Sequence, residues 1–589
     1  MTGARGPATL FAAADGQAAP LSAGECVFRD ARSGAVHLLP TSVLETLDAC
    51  RAFAPLGAHA AALAAAAPGV APAAITQHLE ALVARKLLVA DHDFLADEAS
   101  DAAPGELRAV FIRACDRPEQ LARLLASLAA HEAQYRGRHR YVLLDDSRDA
   151  AAQRRHAELL AAFGVASGAP VLHLDPGRRA RIVERLGTPA PDVAREALVG
   201  VPGAFGGGRG YNLAALLGAG ATYVLLDDDF VFPLKQPNDA QRGLDLAAPA
   251  DGPARFHADA DTALAAGSAV DVDAFVEART WCGRTLASLW RDARWRVDAA
   301  ALAGFAPSLH PHVVPAARVA TLTHGHRGDS GAPSSRWMFV LDAASRAAFA
   351  RDPARYAQAL ESGGVWYGPS RARIDAQTTF TPFSVDARTL VAPTMPTGRA
   401  EDRLFGALVA ALDPRSIALH SSLTIGHRQE GARPRAPLAE AETPSANAWL
   451  ADVIRSAAPD LRADTTGARC RALAGVLRDA ASATPARRSE MLAAYLRYVR
   501  ADFAARLAAV RDDASDAPDH WKRDLDRIVD AQRRALVAES PPVLADWRAA
   551  GGDPADHARD ALEALARTLD AWPALFHHAR QHSASLLQD

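Results

Sequence analysis

Residues 223–229 have the sequence YVLLDDD, an apolar run that ends in three consecutive carboxylates. The apolar part predicts a buried strand, and the apolar residues FVF follow at 230–232. Carboxylates massed at the carboxyl end of a strand repel one another and lose hydration unless a hard cation lies among them. The stretch therefore predicts a divalent-metal site at Asp227, Asp228 and Asp229.

A glycine-rich run lies just before this strand. Residues 206–212 have the sequence GGGRGYN and precede the apolar helical segment Leu213 to Leu217. Flexible backbone, a cation and an amide thus lie one short helix before the carboxylates. This order suits the binding of a diphosphate that a metal ion bridges.

The composition limits the classes of function. At 589 residues, the chain predicts two to four domains. Lys and Arg number 65 against 69 Asp and Glu, so no global basic field attracts nucleic acid, and we expect no nucleic-acid partner. The five cysteines are scattered without metal-site or disulfide spacing, which favours a reducing cytoplasm. No stretch indicates a signal peptide or a membrane span.

The first segment, residues 21–96, has the pattern of a small winged-helix-like domain. CVF at 26–28 and AVHLL at 35–39 predict a β-hairpin, and helical spacing follows, ending in the apolar residues LLV at 87–89. The hairpin, the LPTS entry to the first helix and the closing LEALVARKLLV resemble the PqqD-like domains that recognise ribosomally made precursor peptides. The alternative is a generic winged helix for dimerisation or domain docking. DNA binding is disfavoured because the second helix carries no basic stripe.

Residues Ala96 to Pro104 are mostly acidic or small and predict a linker. The second segment, residues 105–435, then alternates strand and helix signals. Such βαβ repetition predicts a parallel sheet covered on both faces, with ligands at the carboxyl ends of its strands.

Four motifs of this segment occur in the order found in family 2-like glycosyltransferases of the GT-A fold, an α/β Rossmann-like architecture. They are ACDRPEQL at 114–121, DDS at 145–147, RGYN at 209–212 and LLDDD at 225–229. The chain therefore resembles that family. One departure is Ala114-Cys115-Asp116, where the family often has a threonine before Asn-Arg.

The resemblance implies roles for individual residues. Asp145 would hydrogen-bond the nucleotide base, Asp227 would face the ribose, and Asp229 would coordinate Mn²⁺ or Mg²⁺ together with Asp227. The remaining expected donor-binding residues are Asp116, Asp146, Arg209, Asn212 and Asp228. A nucleotide-diphosphate sugar, with UDP favoured, would be the donor.

TGRAEDRLF, at 397–405, resembles the acidic motif from which inverting members of this family take their general base. An acceptor hydroxyl or thiol must lose its proton as it attacks the anomeric carbon. Asp402 is the first candidate for the base and Glu401 the second. The alternative is a carboxylate pair that stabilises the start of the following helix through its dipole.

His427 follows another strand-like run, where several related enzymes have a third metal ligand, and imidazole is a reasonable ligand for manganese. His420 is the competing candidate, and an ordinary loop histidine is the alternative. Asp329, Arg336 and Trp337 could shape a sugar or acceptor pocket, and Trp366-Tyr367 could offer a platform for a sugar ring. His324 and His326 could instead ligate a metal by themselves.

The third segment, residues 436–589, has apolar residues at helical spacing throughout and predicts an all-α region. Its helices could form a scaffold, a homo-oligomer interface or an acceptor-binding wall.

Together these features predict a cytoplasmic, metal-dependent, inverting glycosyltransferase that moves a sugar to a peptide recruited by the first domain. The alternatives are a glycosyltransferase acting on a polysaccharide or small molecule, a non-catalytic sugar-nucleotide or peptide-binding protein, and a nucleotidyltransferase.

Overall fold

A computed structural model describes most of the chain. The described residues are 9–96, 104–188, 190–200, 206–247, 252–306, 309, 312–431, 435–514, 516–538, 542–548 and 550–588. Most of the predicted linker, residues 97–103, lies outside them. None of the described helices combines the length and apolarity that crossing a bilayer requires.

The N-terminal module contains two small sheets and four helices. In chain order its elements are β1 (Leu10–Ala13), β2 (Gly16–Pro20), β3 (Glu25–Asp30), β4 (Val36–Pro40), α1 (Thr41–Ala49), β5 (Ala54–Pro55), α2 (Leu56–Ala66), α3 (Pro72–Ala84), β6 (Leu88–Ala90) and α4 (Asp91–Ala96). The predicted hairpin is β3 and β4, with Val27 opposite Leu38. Strands β1 and β2 precede residue 21, where the sequence placed the start of the module; β2 extends the hairpin and β1 pairs with β5 and β6.

The central region begins with the predicted alternation of strands and helices. Its elements up to the carboxylate strand are β7 (Leu107–Ala114), α5 (Pro118–Tyr135), β8 (Tyr141–Asp145), α6 (Ala150–Ser167), β9 (Val171–Leu174), α7 (Pro176–Leu186), α8 (Pro191–Leu198), α9 (Gly207–Leu217) and β10 (Thr222–Asp227). The strands β9, β8, β7 and β10 are parallel neighbours in that order.

The rest of this region completes a large mixed sheet. Its elements are β11 (Phe230–Gln236), β12 (Leu244–Asp245), β13 (Ala254–Phe256), α10 (Ala260–Ala265), β14 (Ser268–Ala269), α11 (Ala274–Trp281), α12 (Leu286–Arg291), α13 (Ala299–Ala303), β15 (Arg318–Asp329), α14 (Ala343–Ala350), α15 (Pro353–Ser362), β16 (Gly364–Tyr367), β17 (Ala372–Asp375), β18 (Ser384–Asp386), α16 (Glu401–Leu412) and β19 (Ser416–His427). The path of neighbouring strands is β12-β17-β19-β15-β18-β10-β7-β8-β9.

The expectation of a wholly parallel sheet is wrong: β9, β8, β7 and β10 are parallel, as are β15 with β19 and β12 with β17, but antiparallel pairs lie between these groups. Strand β18 is antiparallel to both of its neighbours, β10 and β15, and β17 is antiparallel to β19. Helices connect the successive strands from β7 through β10, as parallel pairing requires. Short strands and irregular segments dominate between β11 and β18, and there the chain can reverse direction between neighbouring strands.

Alternating side chains of the central strands enter two different cores. On β10, Val224 and Leu226 pack with α5 and α6 on one face, whereas Tyr223 and Leu225 pack with α7, α8 and α9 on the other. This alternation follows from the pleat of a strand and buries the sheet on both faces.

The order of the strands creates a topological switch. The chain runs outward from β7 to β8 and β9 with α5 and α6 on one face, then returns over the other face through α7, α8 and α9 to β10. The connections after β7 and before β10 therefore diverge, which opens a crevice at the carboxyl ends of these two strands.

The described residues beyond residue 436 form helices, as predicted. They are α17 (Ala446–Ala457), α18 (Thr466–Ser482), α19 (Pro485–Asp513), α20 (Asp519–Val537), α21 (Ala545–Arg548) and α22 (Pro554–Leu586). This region is packed onto the central region: Trp572 and Phe576 of α22 lie in the same core as α9. The Trp572 indole also donates a hydrogen bond to the Val391 carbonyl (2.7 Å).

Candidate functional site

The crevice at the switch point collects most of the predicted residues. Asp116 follows β7, Asp145 and Asp146 stand at the end of β8, and Asp227 ends β10. Parallel strands bring their carboxyl ends to one edge of the sheet, so these positions share that edge.

Asp227 is neutralised by an arginine that the sequence analysis missed. Arg113 on β7 donates from Nε to Asp227 Oδ1 (2.8 Å), and Thr381 donates its hydroxyl to Asp227 Oδ2 (3.1 Å). Arg113 Nη1 also donates to Glu401 Oε1 (3.1 Å). The arginine thus joins the carboxylate strand to the acidic motif. The available signal was a lone charge in the apolar stretch AVFIRA.

Asp228 points away from Asp227, toward helix α5. Asp228 is buried. Its Oδ1 accepts a hydrogen bond of 3.1 Å from Gln120 Nε2 when the Gln120 amide takes the orientation that satisfies both of its polar atoms. Burial and the neighbouring Asp229 carboxylate raise the pKa of the Asp228 carboxyl well above its ordinary value. Asp228 is therefore a buried carboxyl that faces helix α5.

Asp229 pairs with His427. Strands β11 and β19 pair with Phe230 opposite His427, which brings His427 Nε2 to 3.2 Å from Asp229 Oδ2. Burial opposes both charges, but their attraction wins: the pKa of Asp229 falls to about 2 and that of His427 rises to about 9. His427 Nδ1 lies 2.7 Å from the Asp329 carbonyl oxygen, which fixes the ring.

The three carboxylates therefore have three separate partners and do not form one cluster. Among the described residues, no group of three or more His, Cys, Asp or Glu side chains is arranged to hold a metal ion. Arg113 and His427 compensate the charges of Asp227 and Asp229 without a cation. One atom remains uncompensated: Asp229 Oδ1 is buried and has no hydrogen-bond partner among the described residues.

The acidic motif begins helix α16 beside this edge. Ala400 precedes the helix with φ of 64°, a left-handed conformation that persists in a non-glycine residue only where the surroundings enforce it. Glu401 is engaged by Arg113, whereas the Asp402 carboxylate accepts a hydrogen bond from Arg403 N (2.7 Å). Burial, and then repulsion from Glu401, raises the pKa of Asp402 to about 7. That value suits a general base near neutral pH.

The glycine run packs against protein and leaves no room for a phosphate at its Cβ positions. A Cβ at Gly206, Gly207 or Gly208 would come within 3.0 Å of, respectively, the Pro396 carbonyl, the Glu401 carboxylate or the Met395 carbonyl. These contacts give the three glycines a packing role. The glycines let the start of α9 touch the segment that leads into the acidic motif.

Asn212 and Asp145 are also used internally. Asn212 is fully buried, donates to the Ala197 and Thr394 carbonyls (3.0 and 2.9 Å) and accepts from Thr394 N (2.8 Å). Asp145 is fully buried with His156 Nδ1 and His173 Nε2 at 3.2 and 2.8 Å from Oδ2. Burial opposes its charge, but these hydrogen bonds and those from Ser147 depress the Asp145 pKa. The hydrogen-bonding atoms of both side chains are thus occupied by neighbouring groups of the protein.

Asp116, Asp146 and Arg209 remain at the crevice. Asp116 Oδ1 accepts hydrogen bonds from Arg148 N and Asp149 N (2.9 and 3.1 Å), which, against the effect of burial, lower the pKa of Asp116. Arg209 Nε lies 3.4 Å from Asp146 Oδ1. Asp116 and Asp146 are half-buried at this point of the edge, and Arg209 is buried beside them.

The remaining candidate residues, from the acceptor side and from the alternative histidine sites, divide into two groups. Arg336 is buried and donates to Glu442 Oε1 (2.7 Å), and Trp337 stacks on Phe256, so both serve packing. Trp366 is buried as well. His324, His326, Tyr367 and His420, in contrast, line a common cavity.

Comparisons of the chain with protein-family models, with curated proteins and with solved structures found no match.

Proposed function

We propose that the protein is a metal-dependent glycosyltransferase of the GT-A type that uses a nucleotide-diphosphate sugar. The observation that carries this proposal is Asp402, a carboxylate with a pKa raised to about 7, held beside the switch-point crevice. The Arg113 bridge between Asp227 and Glu401 links this base to the end of β10. Ligands of open α/β sheets bind at such crevices.

Asp229 and His427 would hold Mn²⁺ or Mg²⁺. The buried, unpartnered Oδ1 of Asp229 and the fixed ring of His427 fit this role, with Nε2 as the ligand atom. Two protein ligands suffice when phosphate oxygens of a substrate complete the shell, and imidazole favours manganese. The metal would neutralise the charge of the departing diphosphate.

The chain's own residues account for the proton transfer. Asp402 accepts the proton of the acceptor hydroxyl while the acceptor oxygen bonds to the anomeric carbon. The bond from that carbon to the diphosphate oxygen breaks, and its electron pair leaves with the nucleoside diphosphate. Attack opposite the leaving group inverts the anomeric centre. Arg113 holds Asp227 and Glu401 as an ion-paired unit, so Asp402 is the carboxylate left to act as base.

Release of nucleoside diphosphate from a panel of uridine-, guanosine- and thymidine-diphosphate sugars with Mn²⁺ tests the proposal. We expect release from one donor, at least 100-fold slower in Asp229→Asn. The control is Asp352→Asn, at an exposed helix N-cap where asparagine serves equally well. Release of pyrophosphate would indicate a nucleotidyltransferase instead. Equal turnover by Asp229→Asn and the wild type would refute the assignment.

The N-terminal module supports a peptide as the acceptor. Strand β4 pairs only with β3 among the described strands, so its other side is an open edge. Its side chains Val36 and Leu38 are 65% and 56% exposed. An extended peptide can add a strand to such an edge and place apolar side chains on such residues. A polysaccharide or small-molecule acceptor would leave this edge without a role.

Deleting the N-terminal module would not test peptide recruitment, because the module shares a hydrophobic core with the central region. Phe53 and Phe94 pack edge-on with a ring separation of 5.1 Å, and Phe94 contacts Trp290 and Phe305 at 5.6 and 6.2 Å. Removal would expose these rings and destabilise the enzyme whatever its acceptor.

Point substitutions on the edge avoid this problem. We expect Val36→Lys and Leu38→Lys each to weaken, about tenfold, the binding of an extended apolar peptide that pairs with β4. Val70→Lys is the matched control, because Val70 is exposed elsewhere on the module. Donor hydrolysis should be unchanged in all three variants. Undiminished peptide binding by both edge variants would remove the peptide from the proposal.

A further inference from the structure

A cavity in the C-terminal helical region has no role in the chemistry described above. It has a volume of about 510 Å³ and is open to solvent, a size in the range of small-ligand sites. Its wall is formed by α19, by the end of α20 and by the segment around α21. Every residue that lines it lies beyond position 492, so it is distinct from the switch-point crevice. We refer to it as the arginine cavity.

Three arginines line this cavity. Arg497 and Arg500 lie three positions apart on α19, so one turn of the helix brings them to the same face. Arg548, the last residue of α21, lies close enough to Arg500 to repel its charge. Burial, and then this repulsion, lowers the pKa of the Arg500 guanidinium below its ordinary value. The cavity thus collects three positive charges.

The hydrogen bonds of two of these arginines go to neutral groups. Arg500 donates to the Glu442 and Ala535 carbonyls at 3.3 and 3.1 Å, and Arg548 donates to the Thr443 hydroxyl at 3.2 Å. These bonds hold the two guanidiniums in place but supply no negative charge.

The third arginine and the neighbouring carboxylates do not change this balance. Arg497 is exposed and has no hydrogen bond or ion pair in the part of the chain that the structure describes. The Glu442 carboxylate accepts from Arg336 (2.7 Å), and the Asp546 carboxylate accepts from Ala446 N (2.7 Å). Like charges that are gathered without a counter-charge repel one another, and an anion that binds among them removes this cost.

The rest of the wall is largely apolar. Leu496, Leu536, Val543 and Trp547 line the cavity together with the arginines. The Trp547 ring is held by stacking on His557, with a ring separation of 5.6 Å. A cavity that combines cations with apolar side chains suits an anion that carries an apolar part.

A phosphate ester matches this combination of groups. It carries about 1.5 to 2 negative charges near neutral pH and three acceptor oxygens. A planar guanidinium donates two parallel hydrogen bonds to such oxygens. A carboxylate carries a single charge, which leaves more of the positive charge of the cavity uncompensated.

We propose that the arginine cavity binds a small organic phosphate, with Arg497, Arg500 and Arg548 around the phosphate group and the apolar wall against the organic part. This site is additional to the crevice between β7 and β10, and it does not depend on the proposed function.

The test measures dissociation constants by calorimetry for phenyl phosphate, inorganic phosphate and benzoate in about 0.15 M NaCl, where nonspecific attraction between charges is screened. Arg497→Gln and Arg548→Gln each remove one cation of the cavity, and Leu536→Ala truncates its apolar wall. The control is Arg523→Gln, because Arg523 is also an exposed arginine without an ion pair to the described residues but lies outside the cavity, on α20. Thermal denaturation without ligand checks that each variant is folded.

We expect Arg497→Gln and Arg548→Gln each to weaken the binding of phenyl phosphate about tenfold, because each removes a charge-assisted hydrogen bond. Arg523→Gln should bind as the wild type does. Leu536→Ala should weaken the binding of phenyl phosphate about threefold and leave that of inorganic phosphate unchanged. Benzoate should bind at least about tenfold more weakly than phenyl phosphate.

The proposal is overturned if phenyl phosphate does not bind the wild type, or if both arginine variants bind it as tightly as the wild type does. Binding of benzoate as tight as that of phenyl phosphate would refute the phosphate class. Equal binding of inorganic and phenyl phosphate, with no effect of Leu536→Ala, would refute the organic part. None of these outcomes bears on the proposed function, which fails separately if no sugar donor is hydrolysed.

Discussion

Replacing Asp402 by asparagine should stabilise the protein at alkaline pH while abolishing sugar transfer. The pKa of Asp402 is raised from 3.8 to about 7, so the folded protein holds a proton that the unfolded chain has released between these two values. The wild type therefore becomes progressively less stable as the pH rises from about 4 to about 7, and above about pH 7 the loss of stability is complete. Asparagine does not ionise and avoids this loss.

The magnitude follows from the size of the shift. A change of about three pKa units corresponds to about 4 kcal/mol at pH 8, and this is a ceiling because Asp402 retains some exposure. We expect about half of that value. For a protein of 589 residues, about 2 kcal/mol corresponds to a rise in Tm of about 2 °C at pH 8, against no change at pH 4.

Differential scanning calorimetry of both proteins at pH 4 and pH 8 measures this difference. Asp413→Asn, at the other end of helix α16, controls for the loss of one negative charge. Transfer activity of the wild type should rise as the pH passes about 7 and be absent in Asp402→Asn. A Tm difference that does not grow with pH, or retained transfer in the variant, would refute the assignment of Asp402 as a buried base.

Two further substitutions test the scaffold of the site. Asp145→Asn removes the anionic partner of His156 and His173 and should cost about 3 kcal/mol, or about 2 °C in Tm, at neutral pH. The difference should shrink below about pH 4, because the unfolded wild-type chain then binds a proton that the folded Asp145, with its depressed pKa, does not; calorimetry at both pH values checks this. Gly208→Ala should displace the Met395 segment and lower the free energy of unfolding by at least about 2 kcal/mol, as measured by thermal denaturation. The control, Gly475→Ala, lies inside α18 with open space around it and should raise the free energy of unfolding by about 1 kcal/mol. Equal effects of the two substitutions would contradict the packing role of the glycine run.

Local sequence patterns predicted the elements that present the site. The apolar run before Asp227 forms β10, the proline at 118 begins α5, and the apolar spacing after Asp402 forms α16. These signals are local because burial on a strand or a helix face repeats with a fixed period. They also placed the acidic residues at the starts and ends of elements, where the structure has them.

Long-range packing was not readable from the same patterns. The bond between Arg113 and Glu401 joins residues 288 positions apart, and no local feature of either motif indicates it. For the same reason the sequence suggested one metal-bound carboxylate cluster, whereas the fold gives Asp227, Asp228 and Asp229 different partners. Glycines at 206–208 illustrate the ambiguity well, because close approach to a phosphate and close approach to a backbone carbonyl require the same residue.

Helix α22 has a consequence for biosynthesis. Its residues Trp572 and Phe576 cover the α9 surface around Leu213 and Leu217, yet about 350 residues separate the two in the chain. At roughly 5–20 residues per second, a ribosome needs about 20–70 s to make that stretch. During this interval the apolar surface of α9 that α22 covers stays exposed, so the core of the central region can be completed only late in translation.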